Sequence, residues 1–218
     1  MYFRDQQSGA ELVFGEGCFV APKTIQVRLS NGGVRTLHGD RVFLNMGTHA
    51  AIPDIPGLRA AKPITHVEAL ELDRLPSHLI ILGGGYVGLE FAQAFVRFGS
   101  RVTVLERGPQ LLPREDKYVA DSLVEFLHLD GVDVRLNVEV AQVEGASGDS
   151  VRVTLATSAG TSLLEGSHIL VATGRIPNTE NVGLDKTGVA TDARGYIQVS
   201  EGVRNYGARH LGFGRVRR

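Results

Sequence analysis

The 218-residue chain carries 23 basic and 24 acidic side chains, a net charge of −1, and is 43% hydrophobic. That balance excludes a bulk electrostatic partner such as nucleic acid or a membrane surface. No apolar run reaches the roughly 18 residues of a membrane span, and the lone Cys18 excludes an intrachain disulfide or a Cys-x-x-Cys site. The length suits one large domain or two small ones, and Met1-Tyr-Phe-Arg-Asp5 has no signal-peptide layout, so a soluble cytoplasmic protein is expected. In chain order, residues 11–46 read as β structure: Glu11–Phe14, Ile25–Leu29, a turn at Asn31-Gly-Gly33 and the apolar strand Arg41–Asn45. Residues 49–63, with Pro53, Pro56, Gly57 and Pro63, read as a linker. A βαβαβ pattern follows, with strands at 79–82, 101–105 and 132–136 and helices at 86–98 and 115–129. The second helix places Val119, Leu123, Phe126 and Leu127 on one face. A meander through 138–165 then leads to the strand Ser167–Ala172.

The chain repeats itself at an offset of 127: Leu37-His-Gly39 through Asn45-Met-Gly47 corresponds to Leu164-Glu-Gly166 through Ala172-Thr-Gly174. Each copy is a meander, a glycine, an apolar strand and a glycine at the strand exit.

The strongest local signal is Leu79-Ile-Ile-Leu-Gly-Gly-Gly-Tyr-Val-Gly-Leu-Glu90, followed by Val102-Thr-Val-Leu-Glu106. A buried strand, Gly83-x-Gly85-x-x-Gly88, an amphipathic helix and a second strand ending on an acid form the dinucleotide fingerprint in its full context. Gly83 permits the tight turn, Gly85 lets the backbone approach a pyrophosphate, and Gly88 lets helix and strand pack closely. The helix N-terminus offers free N–H groups and a positive dipole end to the phosphates. Glu106 lies 18 residues past Gly88, the spacing of an acid that holds a ribose 2′-hydroxyl. A carboxylate there repels a 2′-phosphate and favours NAD, while Arg107 and Arg114 leave NADP open. None of the seven histidines falls in a metal-ligand or nucleophile pattern, and no metal site is expected.

These motifs resemble the FAD-dependent pyridine nucleotide–disulfide oxidoreductases, in particular mercuric reductase-like and dihydrolipoamide dehydrogenase-like flavoproteins. The resemblance is carried by Gly83–Glu90, Val104-Leu-Glu-Arg107 with Leu111-Leu-Pro-Arg-Glu115, and Val171-Ala-Thr-Gly-Arg-Ile-Pro-Asn-Thr179. Asn45-Met-Gly-Thr48 with Ile52-Pro-Asp-Ile-Pro-Gly57, and Arg194–Val199, continue it in order. It implies an α/β fold: a Rossmann-like NAD(P)-binding domain with a three-stranded β-meander, flanked by a partial FAD-binding domain. The implied boundaries are 1–57 for the partial FAD domain, 58–175 for the NAD(P) domain and 176–200 for the FAD domain's return segment. It further implies a relay in which NAD(P)H passes hydride to FAD, and FAD reduces a disulfide or similar acceptor. Carried over, Gly83, Gly84, Gly85, Tyr86, Val87, Gly88, Leu89 and Glu90 cradle NAD(P), with Glu106 on the ribose, Val140 lining the adenine pocket and Gly174 near the nicotinamide end. Gly17, Met46, Gly47 and Thr48 would touch FAD, although the family usually has Thr-Gly-Ser where this chain has Met46-Gly47-Thr48.

The resemblance places the family's first Gly-x-Gly-x-x-Gly and its redox cysteine pair upstream of residue 1. It places the dimerisation domain with its catalytic histidine downstream, so no catalytic residue is expected here and the full-length parent is expected to be a homodimer. Residues 202–218 contain no acid, where the family has an aromatic-Ala-x-Gly-Asp/Glu motif, and the basic tail 201–218 is consistent with a frameshift near residue 201. The sequence therefore leaves two classes open: the NAD(P)H half of a flavin-dependent oxidoreductase, or a stand-alone NAD-binding module or inactive fragment.

Overall fold

A computed structural model describes residues 9–200 and the backbone of 210–212. The basic tail 201–218, apart from that short backbone stretch, lies outside the described residues. In chain order the first strands are β1 (Gly15–Ala21), β2 (Thr24–Leu29), β3 (Val34–His38), β4 (Val42–Leu44) and β5 (Thr48–Ala50). They are followed by β6 (His78–Leu82), helix α1 (Tyr86–Phe98), β7 (Arg101–Leu105), helix α2 (Lys117–Leu129) and β8 (Asp133–Arg135). The remainder is β9 (Glu139–Gly145), β10 (Val151–Thr157), β11 (Gly160–Gly166), β12 (His168–Val171), β13 (Arg175–Pro177) and β14 (His210–Gly212). The described residues divide into two compact units, one of residues 50–175 and one that joins 9–49 to 176–200.

In the unit of residues 50–175, a parallel sheet of order β12-β6-β7-β8 is buried on both faces, which is why its strands are continuous apolar runs rather than alternating ones. Leu79, Ile81, Val102, Val104 and Leu170 point to a core shared with Leu89, Ala92 and Phe95 of α1 and Leu127 of α2. Ile80, Leu82, Leu105, Ile169 and Val171 point the other way, onto Val143, Val151, Val153, Leu155 and Leu164 of the antiparallel meander β11-β10-β9. Helices, parallel sheet and meander therefore form three layers. The unit is α/β and Rossmann-like, as the motifs imply.

Residues 50–63 are not a free linker. Leu58 and Ala61 are fully buried in the meander-side core, with Ile52 and Ile55 packed against it. Ile64 bridges to Leu170 at the sheet edge, and Val143 N–H donates to the Pro56 carbonyl at 2.9 Å. Proline forbids regular structure, but it does not forbid burial of its apolar neighbours.

Helix α2 also differs from its expected face. Ala120 and Leu127 are its buried residues, whereas Val119 is 46% and Phe126 66% exposed. Counting large apolar residues moved the predicted face round the helix, because the true contact is centred on a small alanine. Phe126→Ser is accordingly expected to change unfolding free energy by no more than about 0.5 kcal/mol, while Leu127→Ala costs about 2–5 kcal/mol. Urea denaturation of the two variants separates these outcomes.

In the other unit, β1-β2-β3 form an antiparallel meander and β4 pairs in parallel with β14. Phe19, Leu44, Leu184 and Val189 make its core. The first strand begins at Gly15 rather than at Glu11, because Gly15 pairs with Leu29 and the ladder runs on to Ala21. The repeat is visible as architecture: meander β1–β3 leads to β4 as meander β9–β11 leads to β12. Both exit glycines have left-handed backbones, φ +69° at Gly47 and +145° at Gly174.

Candidate functional site

The carboxyl ends of β12, β6 and β7 are neighbours in the sheet, the edge at which open α/β sheets take ligands. The glycine loop sits at the centre of that edge. Gly83 follows β6 at φ +109°, a conformation that would strain any side chain, and a Cβ there would lie 2.7 Å from the Ala172 carbonyl oxygen. Gly84 is buried, its N–H donating to Glu106 Oε2 at 2.7 Å and its carbonyl accepting Leu112 N–H at 3.0 Å.

Gly85 is the N-cap of α1, with φ −84° and ψ 173°, and no side chain caps the helix. A Cβ at Gly85 would meet nothing within 4 Å, whereas one at Gly88 would lie 2.3 Å from the Gly83 carbonyl oxygen. One glycine faces open space and the other is clamped between helix and strand. An uncapped helix start beside open backbone has the chemistry to receive an anion.

Glu106, half-buried at the end of β7, accepts two backbone donors: Gly84 on Oε2 and Gly108 on Oε1, each at 2.7 Å. The second pairing fixes the start of the loop after β7. Each carboxylate oxygen keeps lone-pair capacity beyond its one backbone bond, so the group can also accept from a ribose. On the far side of the loop, Gly174 is exposed with nothing within 4 Å of a Cβ position.

The remaining candidates separate by environment. Tyr86 and Val87 are exposed on the first turn of α1, and Glu90 is exposed one turn on. Leu89 is 6% exposed and belongs to the helix-side core. Val140 packs against the meander-side core as a strand residue of β9. Arg107 and Arg114 are exposed and form no ion pair among the described residues.

In the other unit, Gly17 of β1 pairs with Val27 of β2. The Met46 side chain packs on the Phe19–Leu44 core, and Thr48 opens β5. Asn178 ties these exit residues together: its Nδ2 donates to the Met46 carbonyl at 2.9 Å and its N–H to the Gly47 carbonyl at 3.1 Å, while Oδ1 lies 2.6 Å from His49 Nδ1. The Ile176-Pro-Asn-Thr179 run carries part of the family resemblance, but nothing in sequence marks Asn178 as the residue that makes the contacts. Cys18 is half-buried and free. No group of three or more potential metal ligands occurs among the described residues, and no helix among them is long and apolar enough to cross a membrane.

Comparison with known proteins gives the same family as the motifs. The family model described as pyridine nucleotide-disulphide oxidoreductase matches residues 2–206. The chain is 38% identical over 190 residues to mercuric reductase of Acidithiobacillus ferrooxidans, covering 87% of this chain and 34% of that protein. It is 35% identical over 192 residues to the probable pyridine nucleotide-disulfide oxidoreductase RclA of Escherichia coli, covering 88% and 42%. A solved structure of the HOCl-induced flavoprotein disulfide reductase RclA from Escherichia coli superposes with a TM-score of 0.83 at 32% identity, covering 94% of this chain and 45% of that one. The chain thus spans less than half the length of these relatives. Because that family model matches residues 2–206 of its 218, the chain belongs to the pyridine nucleotide-disulphide oxidoreductases.

Proposed function

We propose that residues 50–175 form the NAD(P)H-binding half of a flavin-dependent oxidoreductase whose full-length form is a homodimer. The observation that carries this is the glycine loop with Gly85 open and Glu106 held at the neighbouring strand end. The N–H groups at the start of α1 receive the pyrophosphate, Glu106 accepts from the adenosine ribose hydroxyls, and Gly174 leaves backbone room at the nicotinamide end. FAD, when bound, would take the hydride of NAD(P)H and pass the electron pair to a disulfide or similar acceptor.

For the flavin, this chain's contribution would be main chain more than side chain. The Met46 side chain is committed to the core, so Met46 would meet a flavin through its backbone, beside Gly47, Thr48 and Gly17. Asn178 would hold that exit in place.

NAD is preferred to NADP at this site. Glu106 is fixed by two backbone donors, so its charge cannot swing away from a 2′-phosphate. Titration of the chain should show NADH binding at least about tenfold tighter than NADPH, the scale of one well-placed charged hydrogen bond. Glu106→Ala should weaken NADH by about 10- to 100-fold and shrink the preference. Equal binding of the two coenzymes by the unaltered chain would overturn the NAD assignment, and no binding of either would overturn the site. A colourless preparation that binds NADH marks a nucleotide-binding module; a yellow one bleached by NADH marks the flavoprotein.

A further inference from the structure

The segment between β7 and α2 is tied to the glycine loop through both backbone groups of one residue, Gly84. Gly84 N–H is held by Glu106, and the Gly84 carbonyl accepts Leu112 N–H at 3.0 Å. Leu111 is fully buried, its Cδ2 2.5 Å from where a Gly84 Cβ would stand. Leu112 itself sits at φ +47°, an uncommon conformation for a branched side chain that persists only where its surroundings hold it. Two further contacts do so. The Tyr86 hydroxyl donates to Glu115 Oε1, and Gln110 Nε2 donates to the Glu115 carbonyl at 3.1 Å.

We propose that Tyr86 and Glu115 act as a positioning pair. Their hydrogen bond holds segment 108–115 in its strained form, and the segment in turn fixes the Gly84 backbone and the Glu106 carboxylate. Because the segment follows β7, the pair serves the adenosine half of a dinucleotide. Glu115 acts through Tyr86 and need not touch the ligand. The inference rests on the dinucleotide reading of the glycine loop and extends it to Glu115, which lies outside the fingerprint. Leu112 strain supplies the reason a latch is needed: with the latch open, the backbone relaxes and Gly84 loses the partner of its carbonyl.

The test uses the full chain with Tyr86→Phe, Glu115→Ala, the double variant and Glu115→Gln. Amide hydrogen exchange without ligand is followed by calorimetric titration with ADP-ribose and with NADH. In Tyr86→Phe and Glu115→Ala, exchange at the Leu112 amide should rise by about five- to tenfold, and ADP-ribose and NADH should weaken alike by about three- to tenfold, the scale of one net hydrogen bond. The double variant should be no worse than either single one, and Glu115→Gln, which keeps an acceptor oxygen, should bind like the unaltered chain. Unchanged Leu112 exchange, or additive losses, overturns the pair while leaving the dinucleotide site standing. A chain that binds neither ADP-ribose nor NADH overturns the dinucleotide reading and the positioning role with it.

Discussion

Gly85→Ala is expected to leave the chain as stable as before and to abolish useful NADH binding, whereas Gly88→Ala is expected to lose both. At Gly85 the backbone is in an ordinary extended conformation, φ −84° and ψ 173°, and a methyl group would meet nothing within 4 Å. Unfolding free energy should therefore move by no more than about 0.5 kcal/mol. The same methyl would occupy the space through which a pyrophosphate reaches the first-turn N–H groups. Losing two charge-assisted hydrogen bonds at about 1.5 kcal/mol each weakens binding by about 100-fold or more.

At Gly88 the methyl would lie 2.3 Å from the Gly83 carbonyl oxygen and 3.3 Å from Ile81 Cγ2 and the Ala172 side chain. The nearest of these is backbone and cannot rotate away, so α1 must lift from the sheet. Overpacking of this kind costs about 1–3 kcal/mol or more, and the lifted helix no longer presents its N-terminus to the loop. Urea denaturation and NADH titration on both variants check the pair. NADH binding by Gly85→Ala at the original affinity would remove the phosphates from this loop, and an unaltered midpoint for Gly88→Ala would mean that α1 is not seated as described.

The contrast between those two glycines was legible in the sequence, because strand, Gly-x-Gly-x-x-Gly, helix and acid each answer to a local need. Elements set by distant partners were less so. Gly15, Glu16 and Gly17 have poor strand propensity, yet they lie in β1 because their ladder to Leu29, Arg28 and Val27 outweighs propensity. Leu58 and Ala61 were hidden among prolines that promise a linker, and their burial depends on the meander 80 residues further on. The acid Glu106 was readable from its spacing, but its two backbone donors were not, since Gly108 bonds it only when the loop turns back. Glu115 and Tyr86 are 29 residues apart. The available clue was Leu111-Leu112, an apolar pair in an otherwise polar loop.

Acidification through the histidine range should destabilise the chain. His78, at the start of β6, is 8% exposed and His168, at the start of β12, is 6% exposed. Burial pushes the His78 pKa down, helped by the Arg101 charge and only partly opposed by the Glu165 carbonyl and Asp133. Burial alone pushes His168 down. His78 Nε2 lies 2.9 Å from Thr103 Oγ1, which donates to Asp133 Oδ2 at 3.3 Å, and Asp133 is already paired with Arg135. That leaves little of the carboxylate's charge to favour an imidazolium. His168 Nδ1 has Ser167 Oγ at 3.0 Å and, among the described residues, no carboxylate hydrogen bond. Both rings are therefore neutral in the folded chain at a pH where the unfolded chain, with histidine near pKa 6.5, already binds protons. The unfolded state then holds the larger number of protons, so stability rises with pH in this window and is complete above about pH 6.5 to 7. As pH falls from there towards the folded-state values, each histidine removes up to about 1.4 kcal/mol of unfolding free energy per pH unit. Urea denaturation between about pH 7.5 and 5 should show that loss, and His78→Gln with His168→Gln should flatten it. A slope that is the same with and without the two histidines would mean that both rings charge freely in the folded chain, and the burial at the foot of the parallel sheet would then be the wrong cause.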